Sequence, residues 1–100
     1  MGNARREVPK RLPAKLRFIR EALGLTQEEM LKELRLPRYV RRNYLSRWES
    51  GEREPTLSAL RRYSEVARVW MNALVDDSVD LPTRLPCPEM HPGITLSKRK

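Results

Sequence analysis

One hundred residues with 39% hydrophobic content can fill one small core and leave too little for a second. A net charge of +8 draws polyanions, which makes nucleic acid the leading partner. A single cysteine (Cys87) and a single histidine (His91) exclude an intramolecular disulfide and argue against structural zinc, and no apolar run approaches the ~18 residues of a membrane span. No membrane contact, cofactor or small-molecule ligand is expected, and the expected location is cytoplasmic.

Residues 1–11 set Arg5, Arg6, Lys10 and Arg11 against Glu7, and Pro9 and Pro13 prevent an early helix, so they read as a flexible basic arm. From Pro13 the pattern turns helical. Leu12, Leu16, Ile19 and Leu23 recur at helical spacing while Lys15, Arg17 and Glu21 take other faces, which predicts a first helix over 13–23. Gly24 stands just past its end, where a left-handed residue is easiest for glycine. Thr26 and Glu29 form the reciprocal capping pair that opens a second helix, a device worth about 1 kcal/mol. Met30, Leu31 and Leu34 make its buried stripe.

Pro37 stops that helix, placing a turn near residues 35–40. In the third helix, at about 100° per residue, Leu45 and Trp48 share one face while Asn43, Ser46, Arg47 and Ser50 lie opposite, with Glu49 near the inward edge. Arg41 would point inward from such a helix, so it belongs at or before the first turn. Gly51 ends the helix. Thr56 caps a fourth, whose inward stripe is Leu57, Leu60, Ser64 and Ala67 with Tyr63 alongside.

Val69, Trp70, Met71, Leu74 and Val75 predict a short fifth helix, apolar on more sides than a small core absorbs. Trp70, Met71, Leu74 and Val75 are therefore the candidate seam of a homodimer. Beyond Asp76 the composition changes: Pro82, Pro86, Pro88, Pro92 and Gly93 break any period before Lys98-Arg99-Lys100. The expected organisation is an arm over 1–11, an all-α five-helix bundle over 12–77, and a Pro-rich, irregular or disordered tail over 78–100.

Two segments together carry a resemblance: Leu23-Gly24-Leu25-Thr26-Gln27-Glu28-Glu29, and Leu45-Ser46-Arg47-Trp48-Glu49-Ser50-Gly51 followed by Arg53-x-Pro55. The chain resembles the helix-turn-helix domain of the Cro and lambda-repressor type over about residues 14–75. The resemblance implies a compact helical bundle whose third helix enters the major groove while the second lies across the backbone. By position it makes Arg42, Asn43 and Arg47 the base-reading side chains, with Tyr44 at the groove edge. Thr26, Gln27 and Arg53 correspond to phosphate-holding positions. It also implies a structural ion pair between Arg20 and Glu49, and the helical wheel independently turns Glu49 inward.

Three features depart from the family pattern. The turn after the second helix carries about four extra residues, Pro37 to Val40; Leu31 stands where a small residue is preferred; and Arg35 replaces the usual turn glycine. The enlarged turn either adds phosphate contacts through Arg38 and Arg41, or lengthens the third helix through Tyr39 and Val40.

The function expected is sequence-specific binding of double-stranded DNA by a transcriptional regulator acting as a homodimer. The alternative is an antitoxin or adaptor that grips a protein partner through residues 76–100. An enzyme is not expected, because no glycine-rich phosphate loop, metal cluster or nucleophile with a plausible base is present in the sequence. RNA binding lacks its usual aromatic platform.

Overall fold

Local backbone devices set where each helix begins and ends in the computed structural model, which describes residues 8–96. Arg5, Arg6 and Lys98-Arg99-Lys100, and with them most of the expected arm and the end of the expected tail, lie outside the described residues. Helix α1 (Leu12–Ala22) starts with Pro13 in its first turn, where a missing N–H costs nothing. It closes on Gly24 (φ +72°): the Gly24 N–H donates to Glu21 O and the Leu25 N–H to Arg20 O, which satisfies two carbonyls at the helix end.

Helix α2 (Gln27–Leu34) opens on a complete capping box. Thr26 Oγ1 accepts the Glu29 N–H at 3.1 Å, and Glu29 Oε1 accepts the Thr26 N–H at 2.9 Å. It ends at Arg35, which is left-handed (φ +51°) without being glycine. Helix α3 (Arg42–Ser50) begins after Arg41, its extended N-cap, and stops at Gly51 (φ +83°). Tyr39 and Val40 therefore stay in the turn and do not lengthen α3. Helix α4 (Leu57–Ala67) is capped by Thr56 Oγ1 on the Ala59 N–H, and α5 is short, Met71–Val75.

One apolar cluster joins the five helices: Leu12, Leu16 and Ile19 of α1, Met30 and Leu34 of α2, Leu45 and Trp48 of α3, Leu60, Tyr63 and Ala67 of α4, Ala73 and Leu74 of α5. The Trp48 and Tyr63 rings meet edge to face, 6.5 Å between centroids. Leu57, expected in the inward stripe of α4, is 73% exposed. It is the first residue of the helix and nothing among the described residues packs over it, so spacing alone placed it wrongly.

Two further expectations are corrected. Lys15 is not on an outer face: it is 4% exposed, and its Nζ donates to Ala73 O (2.8 Å), Asp76 O (2.9 Å) and Val79 O (2.7 Å). It thereby caps the carbonyl end of α5 with a full positive charge. Burial, and after it the Arg11 charge, pulls the Lys15 pKa below its ordinary value. Leu74 is wholly buried and has no surface to give a dimer seam; the α5 stripe that holds it faces the core.

Residues 78–96 are irregular but not disordered, so the packed unit does not stop at residue 77. Two short strands, β1 (Val79–Asp80) and β2 (Ile94–Thr95), pair antiparallel with Val79 opposite Thr95 and Asp80 opposite Ile94. Between them the chain crosses the end of α4: the Cys87 N–H reaches Ala67 O, the His91 N–H reaches Arg68 O, and the Trp70 N–H reaches His91 O. Val79, Pro82 and Cys87 are buried. Prolines broke the periodicity without preventing burial. Gly93 (φ +89°) is held here by sterics, since a Cβ would lie 2.4 Å from Val79 Cγ1 and 2.9 Å from Ala73 Cβ.

Lys10 and Arg11, the last residues of the expected flexible arm, are instead tied to this wrap. The Lys10 and Arg11 N–H groups both donate to the Asp77 carboxylate at 2.9 Å, and the Arg11 guanidinium reaches Asp77 O and the Asp80 carboxylate. Both N–H groups hold the Asp77 pKa below its ordinary value. Among the described residues no helix is long and apolar enough to cross a membrane.

Candidate nucleic-acid interface

Helix α3 divides into two faces. Leu45 and Trp48 are buried beneath it, and Arg42, Asn43, Ser46, Arg47 and Ser50 are exposed above. The division follows from the residue spacing, because burying the Leu45–Trp48 side forces the residues about half a turn away into solvent. Arg42, Asn43 and Arg47 thus share one accessible side of a short cationic helix. Among the described residues no acid pairs with Arg47. Arg42 has a neighbour that the sequence does not reveal: Glu28, in the first turn of α2, places Oε2 at 3.8 Å from Arg42 Nε. Only the crossing of α2 and α3 makes them neighbours.

The helix is held in place from behind. Arg20 Nε donates to Glu49 Oε2 at 2.7 Å and Arg20 Nη2 to Glu49 Oε1 at 3.0 Å, with the two side chains 15% and 5% exposed. Arg20 Nη1 also donates to Leu25 O at 2.9 Å. The hydrogen bond to Glu49 raises the Arg20 pKa further above its ordinary value, against the opposing effect of burial. One guanidinium therefore links the end of α1, the entry to α2 and the end of α3.

Gln27 joins this group, its Nε2 donating to Glu49 Oε1 at 3.3 Å, so it lies half-buried between α2 and α3. Thr26 is exposed; its hydroxyl oxygen serves the capping box, which leaves the O–H free to donate outward. Arg53 lies just past α3 with its guanidinium 5.1 Å from the centre of the half-buried Tyr44 ring, a cation–π contact that steadies both. Arg38 and Arg41 are both exposed on the α2–α3 turn, just before the first turn of α3.

The proposed seam residues divide. Trp70 is 52% exposed, Val75 is exposed at the end of α5, and Met71 is half-buried, whereas Leu74 belongs to the core. Cys87 is buried, and His91 Nδ1 accepts the Gly93 N–H, so each has a structural partner in the wrap.

A family model described as helix-turn-helix matches residues 16–69, more than half of the chain, from within α1 to the residue before Trp70. No curated protein and no solved structure matches the chain. The matched stretch contains the Arg20–Glu49 pair, the capped start of α2, the enlarged turn and the whole of α3. The chain belongs to the Cro/lambda-repressor-type helix-turn-helix family, whose members are DNA-binding and non-enzymatic domains.

Proposed function

We propose that the protein is a sequence-specific transcriptional regulator that lays α3 in the major groove of duplex DNA. The reading rests on one observation above the others: Arg42, Asn43 and Arg47 lie on the solvent side of a helix pinned from behind by Leu45, Trp48 and the Arg20–Glu49 pair. An arginine fork matches guanine and an asparagine amide matches adenine, each good pairing contributing about 1–3 kcal/mol of discrimination. Thr26, Arg53, Arg38 and Arg41 surround this face and are suited to phosphates, with Tyr44 at the groove edge. Gln27 reaches a phosphate only from its place beside Glu49.

The protein acts as a homodimer in this reading, because one module of this size buries little DNA surface and two modules about one helical turn apart supply tight binding. Trp70, Met71 and Val75 supply the seam, without Leu74. A protein partner gripped through residues 76–100 has less support, since Val79, Pro82 and Cys87 are already buried within the protein itself.

Selection from random duplex DNA followed by salt titration tests the reading. A defined, two-fold symmetric motif is expected, together with a steep fall of affinity with salt. Arg47→Ala should lower affinity about ten- to a hundredfold and relax the preference at one base pair. Recovery of no motif, with equal binding to unrelated duplexes, removes sequence specificity. A monomer in sedimentation, both free and on DNA, removes the dimer.

A further inference from the structure

Between Glu33 and Glu49 the chain carries Arg35, Arg38, Arg41, Arg42 and Arg47 and no acidic residue. The extra residues of the α2–α3 turn occupy the middle of this stretch. They form a defined β-turn, the Val40 N–H donating to Pro37 O at 2.9 Å, with Arg38 and Tyr39 at its tip. Both ends of the turn are anchored: Leu36 on one side and Val40 on the other pack against the apolar core. Pro37 and the left-handed Arg35 restrict the backbone further. The result is a fixed knuckle immediately before the first residue of α3.

Tyr39 at its tip is 70% exposed. No hydrogen bond or ring contact within the described residues uses it, and it stands between Arg38 and Arg41. An ordered turn that presents a phenol among cations, on the side of the molecule where the exposed face of α3 begins, is complementary to a polyanion with hydrogen-bond acceptors. We infer that this knuckle is a second DNA-contacting element. It rests on the DNA-binding reading given above. Tyr39 donates its hydroxyl to a phosphate oxygen of the strand flanking the groove that α3 occupies, and Arg38 pairs with a neighbouring phosphate. The extra residues thereby extend the contacted backbone beyond the reach of α3 itself.

The test uses the full chain and the duplex recovered by selection, with binding followed by fluorescence anisotropy at several salt concentrations. Arg38→Ala should reduce the slope of log affinity against log salt by about one, the signature of one lost phosphate contact. Tyr39→Phe should weaken binding about fivefold to tenfold and leave the slope unchanged, because a neutral donor releases no counterion. Tyr39→Ala should match it. Thermal melting of all three should equal that of the parent, since the altered side chains are exposed.

If these variants bind with the parent's affinity and slope while Arg47→Ala weakens binding and relaxes the preference at one base pair, the knuckle is idle and the inference is wrong, although α3 still reads DNA. If the variants lose affinity only in step with a loss of dimer seen by sedimentation, Tyr39 belongs to a contact between copies and the inference is again wrong. If the parent protein binds no duplex, both the inference and the reading beneath it fall.

Discussion

Arg20 and Glu49 meet in a two-point contact, 2.7 and 3.0 Å, at the place where α1, the start of α2 and the end of α3 converge. Glu49 follows Trp48, so the pair orients the back of the helix whose front faces solvent. Removing Glu49 leaves the Arg20 guanidinium largely buried without its acid and deprives Gln27 of its acceptor. Glu49→Ala should lower stability by about 3 kcal/mol, enough to lower the melting temperature by on the order of 10 °C in a domain of this size. Urea unfolding checks it, and an unchanged midpoint would show the pair to be superficial.

Tyr63 is wholly buried, and among the described residues its hydroxyl makes no hydrogen bond. Burial, reinforced by the nearby Glu49 charge, pushes its pKa well above the ordinary tyrosine range, so the group stays neutral. Its ring already supplies the edge contact to Trp48. Tyr63→Phe keeps the ring and removes a desolvated hydroxyl; the expected change is neutral to stabilising, up to about 1 kcal/mol. A loss of more than that in urea unfolding would mean the hydroxyl has a partner in solution.

Glu28 and Arg42 form an exposed pair across the α2–α3 junction. Such a pair adds little to folding, about 0–1 kcal/mol. Its effect on DNA binding should be larger, because Glu28 repels phosphates and competes for a base-reading arginine. Glu28→Gln is expected to raise duplex affinity several-fold at low salt, by about half a decade or more, and the gain should shrink as salt rises. Anisotropy titration at two salt concentrations decides it; equal affinities at low salt would reject the competition.

The clasp between Asp77 and the N–H groups of Lys10 and Arg11 should be acid-sensitive. Because these bonds lower the folded-state pKa of Asp77 from its ordinary value of 3.8, its stabilising contribution is complete above that value. It is lost as pH falls through the lower folded value. Asp76, held down by the hydroxyl and N–H of Ser78, acts in the same direction. Acid unfolding followed by circular dichroism should therefore steepen below about pH 4, and Asp77→Asn should flatten that limb. An acid limb identical in the variant would show that the clasp does not contribute.

Much of the fold was legible because helix ends are near-neighbour chemistry. Thr26 with Glu29, Gly24, Gly51 and Thr56 act on backbone groups within a few residues, and the Leu45–Trp48 spacing sets the two faces of α3 without reference to any other element. The same locality explains the errors. Leu57 has the right spacing for an inward stripe, but burial requires a neighbour above it, and at the first residue of α4 the described residues supply none.

Sequence alone thus determined the helical bundle, its caps, the cationic side of α3 and the family. Only the tertiary structure decided that Lys15 is buried against three carbonyls from 58 to 64 residues away, that Leu74 is core, and that Glu28 faces Arg42. It alone also folds residues 78–96 across the end of α4. Capping and periodicity depend on separations of a few residues, whereas these contacts depend on interhelical angles and on distant backbone acceptors that no local pattern records.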